Sequence, residues 1–224
     1  FKNFNYASNG SSVSNVNEVT INDLKRYGST NGPAGVIMAA YTDGNTYTDL
    51  RLRAFYPSTS GNTPSSSSAT GILTGNSYSV YKHPVLAYND DDDEYVCLYS
   101  QSSPTYGMWC IPFKFNKSTN TFTTNSPVKI ASEITQNDEK FSVVWDSSRQ
   151  RYVISFDGTG AFGTGSQLNV ASFTASATNG TASTATYDFL AFTNDRANRL
   201  FYNDAMGSFL HYNQMNPLFL LHHL

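Results

Sequence analysis

Pro84-Val85-Leu86-Ala87-Tyr88, then Asn89-Asp90-Asp91-Asp92-Asp93-Glu94, then Tyr95-Val96-Cys97-Leu98-Tyr99 is the stretch that decides how this chain is read. The outer pieces are short apolar strands, and the piece between them is too polar to be anything but a turn. Phe141-Ser142-Val143-Val144-Trp145, residues 146–151 and Tyr152-Val153-Ile154-Ser155-Phe156 repeat the order. Tyr88 precedes Tyr95 by seven residues, and Trp145 precedes Tyr152 by the same seven. Self-similarity of this kind marks a propeller or a stacked array.

An earlier copy starts at Val36-Ile37-Met38-Ala39-Ala40-Tyr41, turns at Thr42-Asp43-Gly44-Asn45 and returns through Leu50-Arg51-Leu52-Arg53-Ala54-Phe55. Tyr41 stands as far from Tyr99 as Phe55 does from Phe113, so the hairpin ending in Met108-Trp109-Cys110-Ile111-Pro112-Phe113 is its counterpart. Phe156 follows Tyr99 at an interval only one position shorter, and a glycine-rich loop (residues 158–165) precedes Leu168-Asn169-Val170-Ala171-Ser172-Phe173. A fourth copy is expected to start at Phe189-Leu190-Ala191-Phe192 and to reach Leu200-Phe201-Tyr202, with Phe209-Leu210-His211-Tyr212 next. On this phasing the interval from Phe156 to Tyr202 is shortened. Helix signals are confined to residues 19–27. The expected fold is all-β, a β-propeller-like array of antiparallel four-stranded blades, with a β-sandwich as the alternative. Residues 1–20 read as an N-terminal arm or edge strand, residues 21–216 as the repeat domain, and residues 217–224 as an apolar C-terminal segment, truncated or buried against something. Phe1 in place of an initiator Met predicts a processed or partial product.

Composition narrows the function classes. Ser, Thr and Asn fill 73 of 224 positions, while charged residues make up 14% and aromatics another 14%. A chain this rich in aromatics and this low in charge is folded rather than disordered. Its net charge of −3, with 14 scattered basic residues, excludes nucleic acid as a partner. No apolar run approaches the ~20 residues that span a bilayer.

Few motifs carry chemistry. The acidic run 89–94 lacks the alternating ligands of a calcium loop, and its counterpart 146–151 holds one acid, so it reads as a solvated tip with no metal. The glycine-rich loop lacks the Lys-Ser/Thr and helix of a phosphate cradle. Asp43, Asp49, Asp138, Glu139, Asp157, Asp188 and Asp204 stand near strand ends, where glycosidase carboxylates would be sought, but repeat geometry alone accounts for Asp157 and Asp204. His83, His211, His222 and His223 are too dispersed for a triad. No cofactor is expected. Asn-x-Ser/Thr sequons fall at Asn9, Asn116 and Asn179. Cys97 and Cys110 lie on two arms of one hairpin, which permits a disulfide; Ala39 and Leu52 at the equivalent positions fit plain packing equally well. Aromatics beside turns are the stronger lead, and Tyr47, Tyr56, Tyr106, Trp109 and Phe162 form the expected ligand-binding set, suited to carbohydrate.

The units Pro84 to Ser100 and Phe141 to Asp157, each with apolar-x-Tyr/Trp-Asn/Asp, a polar turn and a Val-rich aromatic strand, resemble propeller-type repeats of bacteriophage tail-fibre and virion-appendage proteins. The resemblance spans roughly residues 34–212. It implies a non-enzymatic structural or attachment module on a virion or extracellular surface, with other subunits or cell-surface glycan as partners. It transfers no catalytic residue. A secreted glycan-active hydrolase on a propeller is the alternative expectation.

Overall fold

The computed structural model describes residues 2–6, 13–18, 24–43, 49–56, 65–73, 84–101, 105–132, 141–158, 167–193, 199–203, 208–212 and 220–222. Strands dominate them, with Pro33–Gly35 a single 3-10 turn. Lys2–Tyr6 (β1) and Val13–Glu18 (β2) pair as a ribbon. The first blade contains Leu24–Asn31 (β3), Ile37–Asp43 (β4) and Asp49–Tyr56 (β5), edged by the short pieces Ser65–Ser66 (β6) and Thr70–Leu73 (β7). The second repeats this plan with Val85–Asn89 (β8), Glu94–Gln101 (β9), Gly107–Asn116 (β10), Thr121–Thr124 (β11) and Val128–Ala131 (β12). The third has Phe141–Asp146 (β13), Arg151–Gly158 (β14), Gln167–Phe173 (β15), Ala175–Ser176 (β16), Thr181–Ala182 (β17) and Thr186–Thr193 (β18). Arg199–Asn203 (β19), Ser208–Tyr212 (β20) and Leu220–His222 (β21) form the last sheet.

The leading strands β3, β8, β13 and β19 lie side by side in that order. Successive antiparallel sheets touching through their first strands give a propeller-like fold, not two sheets packed as a sandwich. Leu24–Tyr27 is strand where the sequence predicts a short helix; residues 19–23 lie outside the described residues.

The structure also corrects the phase of the fourth copy. Phe189 to Phe192 belongs to β18, which closes the third blade against β15. The next blade begins at β19, so Tyr202 is the counterpart of Tyr88 and Trp145, and Trp145 lies midway between the two tyrosines along the chain. The shortened interval disappears. Tyr202 pairs with Phe209, again seven residues on.

The seven-residue spacing is turn chemistry. Tyr88 pairs directly with Tyr95 and Trp145 with Tyr152, their ring centroids 4.7 and 4.8 Å apart. Phe115 and Phe122 repeat the arrangement at 4.8 Å. Four residues separate each Asx at the strand end from the next strand, and the last of the four adopts positive φ: Asp93 52°, Asn120 57°, Gln150 53°. Asp and Asn tolerate this region better than most residues do, and Gln150 at least lacks a β-branch. Asn89 Oδ1 accepts the N–H groups of Asp91 and Asp92, and Asn116 Oδ1 those of Ser118 and Thr119. Asp146 accepts the Arg149 N–H and the Ser148 hydroxyl. Each Asx thus satisfies backbone donors that the turn would leave unpaired. In the third blade Ser176, with Gly180 at φ 66°, closes the same turn without aromatics.

Strand alternation then splits the core in two. From β9, Tyr95, Cys97 and Tyr99 point into the seam with the first blade, beside Met38, Ala40, Leu50 and Leu52. Val96 and Leu98 point into the seam with the third blade, beside Tyr152, Ile154 and Phe156. Tyr95 stacks on Phe113 at 5.2 Å, and Tyr152 on Phe173 at 5.3 Å. A buried aromatic of this size dominates its local core energy. The same alternation decides between the disulfide and the plain packing that the sequence left open, in favour of packing. Cys97 pairs with Ile111 and Cys110 with Leu98, so the two thiols stand on opposite faces, one in each seam, both free and buried. Burial alone pushes the Cys97 thiol well above its usual pKa.

The outer strand is interrupted at one repeated position. Ser67 N–H donates to the Ala54 carbonyl, and the Ser67 hydroxyl accepts from Ala54 N–H at 2.9 Å. Ser183 and Thr174 make the same reciprocal pair in the third blade. In the second blade Pro112 takes the place of Ala54, at the offset that separates Tyr41 from Tyr99, and Pro has no N–H to donate. The side chain of Asn125 is thereby released to donate to both the Pro112 carbonyl (3.1 Å) and Ala177 O (2.7 Å) of the following blade.

Candidate functional site

Each blade has two ends, and their polar groups are handled differently. One end carries the four-residue turns. There Glu94, 3% exposed, accepts the N–H groups of Ala177 (2.6 Å) and Thr178 (3.1 Å) and the Thr178 hydroxyl (2.8 Å), with the Lys114 ammonium at 3.1 Å. Burial would raise the pKa of this carboxyl. Hydrogen bonds from Ala177, Thr178 and Lys114 outweigh burial and hold it below the ordinary value. The acidic run, expected to be only a solvated tip, also ties blades together. Asp91 accepts Trp145 Nε1–H and Gln150 Nε2–H from the next blade, both at 2.9 Å, while Asp93 accepts the Tyr88 hydroxyl. Among the described residues no group of three or more His, Cys, Asp or Glu could hold a metal.

The opposite end carries the β4–β5 and β9–β10 connections, and here buried polar atoms lack partners. Among the described residues Thr42 Oγ1 and Gln101 Oε1 find no hydrogen-bond partner, although Thr42 is 0% and Gln101 1% exposed; the buried hydroxyls of Ser100, Ser155 and Tyr152 likewise lack one. Thr42 continues the row Met38, Ala40 of the first blade, and Gln101 continues the row Tyr95, Cys97, Tyr99 of the second. Both rows face the same seam, and the offset between the blades sets Thr42 level with Ser100, next to Gln101. Gln101 Nε2 donates to the Thr105 carbonyl at 3.4 Å, and Trp109 Nε1 donates to the same carbonyl at 3.3 Å. The half-buried Trp109 packs against the seam's apolar cluster. Gly107, the cross-strand partner of Gln101, has φ 150°, and a Cβ there would lie 2.5 Å from Lys129 Cε. The same Cβ would lie 2.5 Å from the Ala131 carbonyl oxygen, so backbone and lysine stem both crowd this glycine.

This arrangement separates the expected aromatic set. Trp109 lies in the seam, and Tyr106 packs against the other core cluster. Tyr56 stands at the turn end, donating to Asn120 Oδ1 at 3.1 Å beneath the Lys117 ammonium. Tyr56, Tyr106 and Trp109 thus form no common platform. Tyr47 and Phe162 lie outside the described residues. Asp49 pairs with Arg51 at 3.6 Å, and Asn116 is engaged as a turn cap. No local motif announces Thr42, Gln101 or Lys129; strand register places Thr42 and Gln101 on rows that face one seam and Lys129 against the partner strand's Gly107.

No family model matches the chain, and no curated protein matches it. Two solved structures are similar. One is a protein from Lactobacillus plantarum, 12% identical, with a TM-score of 0.56 over 99% of this chain and 63% of that one. The other is a protein from Bacteroides uniformis named as a candidate 6-phosphogluconolactonase, also 12% identical, with a TM-score of 0.55 over 98% and 63%. The chain thus spans somewhat under two thirds of the length of these neighbours. The likeness shows a propeller-like fold. It also overturns the expected function. The attachment reading rested on resemblance to phage appendages, whereas the architecture is shared with bacterial proteins, one of them named as a lactonase, and nothing points to tail fibres or a virion. The expected glycan and partner-subunit contacts are likewise unsupported. Among the described residues no helix is long and apolar enough to cross a membrane.

Proposed function

We propose that this propeller acts on a small, oxygen-rich substrate of the sugar-lactone class, bound in the seam between the first and second blades. The observation that carries the reading is the pair of buried polar atoms without partners, Thr42 Oγ1 and Gln101 Oε1, beside the half-buried Trp109. A buried polar atom left unbonded costs about 1–3 kcal/mol. A ligand bearing hydroxyls relieves that cost: the Thr42 hydroxyl donates, the Gln101 carbonyl accepts, and the indole covers the C–H face of the ring. These groups bind and orient, and the reading assigns them no proton transfer. The name of the Bacteroides uniformis neighbour supplies the reaction class. Water adds to the lactone carbonyl, the ring C–O bond breaks, the ring oxygen leaves as a hydroxyl, and a hydroxy carboxylate and a proton result.

The test is acid release from 6-phosphogluconolactone by the purified chain, against the spontaneous rate in the same buffer. The expected result is acceleration that Gln101→Leu cuts by about tenfold, the worth of one well-made hydrogen bond, while the variant's circular dichroism stays unchanged. A rate equal to buffer, or one indifferent to Gln101→Leu, contradicts the reading.

A further inference from the structure

We propose that Lys129 is the anion-recognising residue of this seam, and that the ligand carries a phosphate or carboxylate as well as hydroxyls. The inference rests on the seam being a ligand site. It does not depend on the ligand being hydrolysed.

Three observations carry it. Among the cations whose side chains are described, Lys129 is the one with no ion pair, hydrogen bond or ring contact to another described residue. Arg51 pairs with Asp49, Arg53 donates to Ser66, Lys114 meets Glu94, Lys117 lies over Tyr56, and Arg149 and Arg151 both reach Asp146. Lys129 has neither an ion pair nor a hydrogen bond among the described residues.

Its position is also constrained. The stem lies against Gly107, with Nζ 3.4 Å from where a Cβ would be, so a glycine at a φ that side chains rarely adopt keeps a track open for the lysine. On its other side Gly107 pairs across the strands with Gln101, whose buried Oε1 has no partner among the described residues.

The chemistry of the groups then selects the ligand. An ammonium has three donors and no acceptor, and an uncompensated charge next to a buried amide favours an anion. Gln101 Oε1 takes a hydroxyl, not an anionic oxygen, because it only accepts. Together they specify a small hydroxylated anion, either a sugar phosphate or a sugar acid.

Calorimetric titration of the full chain with 6-phosphogluconate, glucose 6-phosphate, gluconate and glucose tests this. One or more of the anions is expected to bind at least about tenfold more tightly than glucose. The phosphate-only and carboxylate-only ligands show which group is recognised. Lys129→Met should remove that preference, while Lys129→Arg keeps most of it and shows that the site still folds. Equal affinity for glucose and every anion, no binding of any anion, or an unchanged preference in Lys129→Met overturns the proposal. Anion binding that depends on Lys129 without lactone hydrolysis leaves it standing and removes the reaction class alone.

Discussion

The turn end and the loop end of the blades are built from the same strands, yet at the first the side chain that opens each turn bonds backbone donors, with Tyr152 Oη a buried exception, and at the second Thr42 and Gln101 each keep a buried oxygen without a partner among the described residues. At the turn end Asn89, Asn116, Asp146 and Ser176 each close a four-residue turn with their own side-chain oxygen, and Glu94 takes three hydrogen bonds and an ion pair. At the loop end Thr42 and Gln101 each keep an oxygen unbonded among the described residues, although each is at least as buried as Glu94. Satisfied groups specify a fold, and unsatisfied ones in a native protein call for an explanation. The contrast teaches that the repeated chemistry is scaffold, and the proposed site lies where repetition lapses.

Mutations can break or sharpen that contrast. The largest effect belongs to the aromatic row: Tyr152→Ala should cost about 3–5 kcal/mol in urea unfolding, since Tyr152 is fully buried and stacks on Phe173. Next comes the clasp between blades. Glu94→Ala should cost about 2–4 kcal/mol, because it strands the buried Ala177 N–H and breaks charge-assisted bonds. The carboxyl's pKa is lowered in the folded state, so its contribution is complete above the unfolded value near 4.5 and is lost as pH falls below it. Unfolding midpoints measured across that range should drop in the parent, and the drop should shrink in Glu94→Gln.

A matched pair of hydroxyls gives the sharpest comparison. Ser67 bonds Ala54 N–H and donates to Ser68 O, so Ser67→Ala should cost about 1–2 kcal/mol. Thr42→Val removes an equally buried hydroxyl that bonds nothing and should cost under about 0.5 kcal/mol, or stabilise. Equal losses in the two would erase the distinction between the ends. Smallest of all, a reducing agent should leave the melting temperature unchanged, because Cys97 and Cys110 are free thiols.

Much of the scaffold is legible in the chain, because turn chemistry is local. Tyr88 with Tyr95 and Trp145 with Tyr152 reveal the hairpins, and the equal intervals from Tyr41 to Tyr99 and from Phe55 to Phe113 reveal the blades. Phe115 and Phe122 carry the same hairpin spacing and can be found by the same rule. The fourth copy is misphased from sequence because Phe189 to Phe192 resembles an inner strand, and only its pairing with β15 shows it to be an outer one. The disulfide fails by a single residue of register, which moves a side chain to the other face of a sheet. Thr42, Gln101 and Lys129 are invisible for a different reason. Each is unremarkable in its own segment, and their meaning depends on which oxygen finds no partner after the blades have packed.

The most direct test of the distinction between the ends is a backbone amide titration of the full chain with 6-phosphogluconate. The account predicts that the resonances that move belong to Thr42, Gln101, Thr105, Gly107, Trp109 and Lys129, while those of residues 89–94 and 146–151 stay fixed. Shifts centred on the turns, or none anywhere, would contradict it.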